Sequence, residues 1–370
     1  MVGRTTADKV GGGHRDGADR LGMALQLAGN VARMAWYSGI NLMLQRRSRR
    51  MSKPAEFTPT RPVPNREELL SDARALLRAD AEAVAAGLYP PGDEEASSPI
   101  EHLRRLRAMF QDLPELVSRR QERDASSARD AAGDVTGHHE ALPDYFTQDF
   151  HFQTGGYLTD GSARLYDVQV ETLFYGAAAA MRRAGLRPIA EFMHGRDQRR
   201  VSLIDVACGT GRFLSDVRRA FPAMRLTGCD LSQAYLEEAR RHMGRLRPAR
   251  LVFANAEALP FEDASQDIVT CIFLFHELPP EVRRVVTREI ARMLKPGGLF
   301  VFIDSLQMGD KPNWDGLLEA FPVRFHEPYY RSFVIDDLET MFAAEGLQSA
   351  GEMLAFLSKV VVRRKAEAAG

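Results

Sequence analysis

Cysteine is scarce: the chain has three, Cys208, Cys229 and Cys271, with no CxxC pair and no His/Cys spacing suited to zinc. A disulfide framework and a structural metal are therefore not expected, and a reducing, cytoplasmic setting is. Net charge is nearly absent too, at −1 with a pI near 6.8. Without a global field to draw in a polyanion, nucleic acid is not an expected partner. Long uncharged apolar runs are also missing. The most apolar stretch, Leu21 to Leu44, carries Arg33 near its middle and the amides Gln26, Asn30 and Asn41. An arginine at a bilayer centre costs about 2.5 to 3.5 kcal/mol on insertion scales, so this stretch is not expected to span a membrane. It also starts too late, and lacks the small-residue cleavage site, for a secretory signal. No internal repeat is visible.

What is present suits a large soluble protein: 45% hydrophobic and 27% charged residues over 370 positions, enough for a sizeable core. Residues 1–20, rich in Gly, Asp, Arg and Thr without periodicity, read as a disordered leader. Residues 21–60 read as an amphipathic helix, with Gln26, Asn30, Arg33 and Asn41 along one narrow stripe, followed by Arg46, Arg47, Arg49, Arg50 and Lys53. Two readings stand: an interfacial helix making peripheral contact with an anionic membrane through 21–53, or a helix packed on the chain beside a solvated basic run.

Residues 61–118 form a small helical module. Asn65 with Glu68 caps one helix running to Gly87, and Ser98-Pro99 with Glu101 starts another that carries Leu103, Leu106, Met109, Phe110 and Leu113. Residues 119–140 read as a polar linker, whose His138-His139 pair lacks a third ligand and is taken as solvated. Residues 141–199 form a helical cap, with an aromatic-rich turn at Gly155-Gly156 and a helix from about Ser162 to Arg183 stopped by Gly185. From residue 200 to 370, short apolar strands alternate with amphipathic helices. That pattern indicates an α/β, Rossmann-like parallel sheet covered on both faces and closed by a C-terminal hairpin.

The stretch "LIDVACGTGRFL", Leu203 to Leu214, holds the first strand-to-helix turn, where a sheet of this kind binds its ligand. Gly209 and Gly211 permit close approach of the backbone. A dinucleotide fingerprint would require Gly or Ala at position 214, and Leu214 stands there, which weakens an NAD-dependent dehydrogenase reading. Asp205, at the strand end, would repel a pyrophosphate but suits an ammonium. Asp230, in "LTGCDLS", can accept both hydroxyls of a ribose. A ligand with a ribose, a cationic amino-acid end and no phosphate is S-adenosylmethionine.

With these residues, "DVACGTG", "LTGCDLS", "ANAEALPF", "DIVTCIFLFHELP" and "LKPGG" in this order, the chain from Val201 to Arg364 resembles the class I S-adenosylmethionine-dependent methyltransferases. It is most similar to the ubiquinone and menaquinone biosynthesis type. The resemblance implies a seven-stranded sheet in the order 3-2-1-4-5-7-6 with strand 7 antiparallel. Carried over by position, Asp205, Ala207, Gly209 and Gly211 would serve the methionine part and the turn. Asp230 and Leu231 would serve the ribose, Asn255 and Ala256 the adenine, and Phe273 with Leu274 the pocket wall. Family members usually have Asp where Asn255 stands and often Gly where Ala207 stands; the first change removes a charge, and the second is expected to have no consequence.

The resemblance also implies transfer of a methyl group to an acceptor, which needs a base only where the acceptor carries a proton. The candidates at the carboxyl edge of the sheet are His276, Glu277, Asp304, His326, Tyr329 and Tyr330, of which His276 and His326 are favoured. The asparagine-proline-proline-aromatic signature of nitrogen methylation is replaced by "FHEL". This points to an oxygen or carbon of a small aromatic or hydrophobic molecule. Phe150, Phe152, Tyr157, Tyr166, Tyr329 and Tyr330 are the expected walls of its pocket. The competing expectation is a regulatory or scaffold protein that binds S-adenosylmethionine without turnover.

Overall fold

Strand β1 (Ser202–Val206) is buried at every position, as expected of a strand covered on both faces, and the rest of the sheet grows outward from it. In the computed structural model, which describes residues 12–53, 57–92, 99–135 and 142–367, β1 lies parallel between β2 (Arg225–Asp230) and β4 (Gln266–Ile272). Beyond them lie β3 (Arg250–Phe253) on one side and β5 (Leu294–Ser305) on the other, followed by the hairpin β6 (Leu347–Ala355) and β7 (Ser358–Lys365). The order is 3-2-1-4-5-7-6, with β7 antiparallel to both neighbours, which agrees with the expectation from the motifs.

Thirteen helices are present among the described residues. Ahead of the sheet come α1 (Gly12–Met51), α2 (Arg66–Ala85), α3 (Pro99–Glu122), α4 (Ser127–Val135), α5 (Asp160–Leu173), α6 (Ala178–Arg183) and α7 (Leu186–Met193). Interleaved with the strands are α8 (Arg212–Ala220), α9 (Gln233–Met243), α10 (Pro280–Met293), α11 (Asp315–Arg324), α12 (Tyr330–Phe333) and α13 (Leu338–Ala344). A single core joins the two parts. It holds Ile204, Val269 and Phe302 of the sheet, Leu214 of α8, and Leu77 and Met181 from α2 and α6. Leu214 packs over Gly228, where any Cβ would come within 2.5 Å of its Cδ1, so a bare strand position in β2 seats the first crossover helix.

Helix α1 is packed on the chain with its polar stripe turned inward. Asn30 donates to Asp80 Oδ2 at 3.1 Å and to the Leu77 carbonyl, and Asp80 in turn receives two bonds from the buried Arg183 guanidinium, at 2.9 and 2.8 Å. Arg33 pairs with Glu171 at 3.1 Å, and Asn41 donates to the Thr172 carbonyl. Buried polar groups of this kind require partners, and α2, α5 and α6 supply them. No helix among the described residues is long and apolar enough to cross a membrane.

Three boundaries differ from the sequence expectation. Helix α1 starts at Gly12, so part of the expected leader is helical, while residues 1–11 lie outside the described ones. The expected linker is largely helical in its described part, because α3 continues to Glu122 and Asp149 accepts the Ser127 and Ala128 N–H groups at the start of α4. His138 and His139 lie outside the described residues. The helix expected from Ser162 to Arg183 breaks at Tyr175 and Gly176, both at positive φ. A Cβ on Gly176 would come within 3.0 Å of the Arg33 carbonyl, so the break is where α1 abuts the cap.

Candidate functional site

At the carboxyl ends of β1, β2 and β4 lies a cleft of about 810 Å³. Its floor is the turn after β1. Ala207 (φ 57°), Gly209 (φ 55°) and Gly211 (φ 72°) alternate in the left-handed region, which folds the chain tightly enough to start α8. Gly211 faces α9, where a Cβ would meet that of Ala239 at 2.8 Å, so its task is packing under the turn and it does not line the cleft. The expectation that Ala207 is without consequence is corrected. A residue with a Cβ held at φ 57° costs about 1 kcal/mol relative to glycine.

Asp230 is the polar centre of this floor. Its Oδ2 accepts the N–H of Gly209 and its Oδ1 the N–H of Ser232, each at 2.8 Å, which fastens the tip of β2 to the turn. Burial raises its carboxyl to about 6, against the pull of those backbone donors. Leu231, Asn255, Ala256 and Phe273 line the cleft beside it, with Leu274 next to them. Asn255 closes a turn on itself: its Oδ1 accepts the Glu257 N–H at 3.0 Å and its Nδ2 donates to the Glu257 carboxylate, which also receives the Tyr145 hydroxyl.

Asp205 does not line the cleft. The pleat of β1 turns its side chain toward β4, where Thr270 Oγ1 donates to it at 2.6 Å, and burial pushes its carboxyl up to about 7. It braces the sheet under the turn, and its expected direct contact with an ammonium group is corrected.

The opposite wall is aromatic. Tyr157 and Tyr166 line the cleft, together with Phe150, Tyr145, Phe146 and Tyr235. Tyr157, Tyr166 and Tyr235 meet edge to face with centroids 5.3 to 6.3 Å apart, a favourable packing for rings. Tyr235 is held by Gln153 and Ser162. Phe152 is fully buried outside the cleft. Tyr329 and Tyr330 do not line it either: Tyr329 bonds Gln148, and Tyr330 is buried against Phe321 and bonded to Ser305 at 2.7 Å. Tyr330 is thus turned away from the cleft, because the loop before α12 folds back on α11, while Tyr329 packs behind the aromatic wall against the cluster of Phe150, Tyr157 and Tyr235.

Neither favoured histidine lines the cleft. His276 is buried with its Nδ1 2.6 Å from Asp304 Oδ1, and Asp304 also accepts the N–H groups of Phe275 and Ser305. Burial works against a charge on this imidazole, but the adjacent carboxylate prevails and holds it up at about 10, so near neutral pH it is a fixed cation and a poor base. His326 bonds Gln148 at 2.9 Å and packs against Phe150 and Phe152, and burial lowers its pKa.

Of the candidate bases, the one that does line the cleft is Glu277. It accepts the Tyr157 hydroxyl, and His276 Nε2 lies 3.7 Å from it. Burial pushes its carboxyl up to about 7, against the pull of His276. Beyond it, Glu327 has neither oxygen hydrogen-bonded, and burial holds it well above the carboxylate range. His151, 3.2 Å away, is held down to about 3 by burial, so its imidazole is neutral near pH 7. Among the described residues no cluster of His, Cys, Asp and Glu could hold a metal ion.

The residue set fits the ligand read from the sequence. Asp230 keeps accepting capacity on both oxygens for a diol, Ala207 and Gly209 leave space above the turn, and Ile272, Phe273 and Leu274 supply an apolar flank. Tyr145, Phe146 and Tyr235 were not singled out from the sequence, since only the packing of α9 and the cap brings them to the sheet edge. Residues 203–298 match the family model described as a methyltransferase domain. The demethylmenaquinone methyltransferases of Staphylococcus aureus strains JH9 and Newman are 36% identical over 105 residues, which is 28% of this chain and 43% of theirs. The chain thus spans less than half the length of these relatives. Among solved structures, a SAM-dependent methyltransferase from Aquifex aeolicus aligns at 17% identity over 49% of this chain and 89% of its own, with a TM-score of 0.37. YcgJ from Bacillus subtilis aligns at 19% over 48% and 97%, also with a TM-score of 0.37. Residues 203–298 thus match a methyltransferase domain, set within the seven-stranded sheet described above.

Proposed function

We propose that the chain methylates an oxygen or carbon atom of a small aromatic or hydrophobic molecule. The observation that carries this is a single cleft with Ala207, Gly209 and Asp230 at one end and a wall of tyrosine and phenylalanine rings around one carboxylate, Glu277, at the other. When bound, S-adenosylmethionine supplies an electrophilic methyl group on its sulfonium. The protein's share is then to hold the ribose through Asp230, flank the ring through Asn255 and Ala256, and align the acceptor. Alignment of two reactants is worth about 7 to 11 kcal/mol in favourable cases. Tyr157, Tyr166, Phe146 and Phe150 offer flat faces for such an acceptor and keep water from it.

Glu277 is the group we assign to remove the acceptor's proton. It lies at the cleft surface, whereas His276 is tied to Asp304 and His326 to Gln148. A carboxylate raised to about 7 combines basicity with availability at neutral pH. A quinol-like ring, suggested by the name of the Staphylococcus relatives, would meet these demands at a carbon or a hydroxyl.

Two measurements test the proposal. Calorimetry of the purified protein with S-adenosylmethionine should show saturable binding. Incubation of the protein with methyl-labelled S-adenosylmethionine and a small-molecule extract of producing cells should then yield a labelled organic-soluble product. Absence of saturable binding would sink the reading; binding with no product in any fraction would return the regulatory alternative.

A further inference from the structure

Helix α1 is amphipathic in the inverted sense. Its amides and Arg33 face the protein, and the side it turns outward between Gly22 and Met43 is Gly22, Ala24, Leu25, Ala28, Gly29, Val31, Ala32, Ala35, Trp36, Gly39, Leu42 and Met43, without one charged or hydrogen-bonding side chain except the Trp36 indole. Leu25 is 65% exposed, Trp36 51% and Met43 53%. The face runs for about 32 Å along the helix. Helix α3 widens it: Trp36 Nε1 donates to His102 Nε2 at 3.4 Å, and Leu103 beside that contact is 57% exposed. An apolar surface of this extent on a soluble chain marks a binding surface.

The charges say what covers it. From Leu21 to Lys53 the chain has no Asp or Glu at all, and the same helix ends in Arg46, Arg47, Arg49 and Arg50, all exposed and without an ion pair among the described residues. An uninterrupted apolar face followed by unpaired arginines complements a bilayer whose surface carries anionic headgroups: the apolar side chains enter the acyl boundary and the guanidiniums bind phosphates. Trp36, apolar with one donor, suits the depth between the two. We propose that α1 lies along the surface of an anionic membrane, held by this face and by the arginines that follow it. The inference is independent of the methyl-transfer reading, and its test uses no cofactor.

The test is cosedimentation of the full-length protein with phosphatidylcholine vesicles, with and without phosphatidylglycerol, at low and high salt. Binding is expected with the anionic vesicles only, weakened by salt. The double variant Leu25→Glu/Met43→Glu changes two exposed positions and should keep the thermal midpoint while losing vesicle binding. Replacing the four arginines by Gln should lower the apparent vesicle affinity about tenfold or more. Trp36 should shift to the blue and be quenched by brominated lipid, whereas Trp314, buried against Phe356, should not respond. Wild-type protein that stays in the supernatant with anionic vesicles at low salt overturns the proposal, as does binding that survives the double variant. A concentration-dependent dimer that the same double substitution dissolves would overturn it too, because a second copy would then cover the face.

Discussion

The hydroxyl of Tyr157, in the cap that precedes the sheet, donates its hydrogen bond to the carboxylate of Glu277, 120 residues further along at the end of β4. This one bond joins two residues that line the cleft. It ties the aromatic wall to the sheet, orients the carboxylate toward the enclosed space, and leaves Glu277 with a second oxygen for a substrate proton. His276, its sequence neighbour, sits behind it as a cation fixed by Asp304.

Glu277→Gln should therefore remove proton abstraction while keeping the shape of the cleft. We expect the methylation rate to fall by about 10² to 10³ for an acceptor bearing a hydroxyl or acidic carbon proton, with S-adenosylmethionine affinity changed less than about threefold. The wild-type rate should rise with pH through a pKa near 7 as the carboxyl deprotonates, and this rise should be missing in the variant. Rates measured from pH 5.5 to 8.5 with the acceptor found by methyl labelling decide the matter. An unchanged profile in Glu277→Gln would assign the base elsewhere.

Asp230 is the side chain proposed to hold the ribose, and it already fastens the turn after β1 to the tip of β2. Asp230→Ala deletes the acceptor of two backbone N–H groups and the proposed partner of the ribose at once. Loss of a charged, twice-bonded acceptor of this kind costs about 3 kcal/mol, so S-adenosylmethionine should bind at least about a hundredfold more weakly by calorimetry. Circular dichroism should stay that of the wild type. A dissociation constant within about fivefold of the wild type would show that the cofactor lies elsewhere in the cleft.

The hairpin and the glycine turn were legible because each rests on local pattern, apolar runs of strand length and glycines at strand ends, whereas the strand order followed only from the resemblance that the motifs carry. Side-chain direction was not. Asp205 looked like a cleft acid because it ends a strand, yet the pleat points it at Thr270. His276 and Glu277 are adjacent in one short turn after β4, and only the backbone decides that Glu277 faces the cavity while His276 faces Asp304. The polar stripe of α1 was correctly found, but periodicity cannot tell whether a stripe faces solvent or a buried Asp80 and Glu171. Tyr330 turns away from the cleft because loop direction after a helix has no sequence period.

Ala207 sits in the left-handed region where a glycine would carry no steric penalty. Ala207→Gly should stabilise the protein by up to about 0.5 kcal/mol, the relief of strain being partly offset by the greater freedom of glycine in the unfolded chain. In a domain of this size that is a rise of about 1 °C in the thermal midpoint, readable by calorimetry. A fall would mean that the Ala207 methyl group makes packing contacts that outweigh the strain.

The His276–Asp304 pair gives a stability signature of known sign. In the folded protein the imidazole titrates near 10, held up by Asp304 against burial, whereas in the unfolded chain it titrates near its ordinary 6.5. Folding therefore takes up a proton between those values, and the stabilisation is complete below about pH 6.5 and declines as pH rises toward 10. His276→Gln removes this dependence while leaving Asp304 its two backbone donors, Phe275 and Ser305. The stability gap between wild type and variant, measured by urea unfolding at a series of pH values, should be largest at pH 6 and shrink steadily up to pH 10. Taking the difference cancels Asp205 and Asp230, whose raised values are present in both proteins. A gap independent of pH would mean that His276 is neutral in the fold, and that Asp304 holds it by an uncharged hydrogen bond alone.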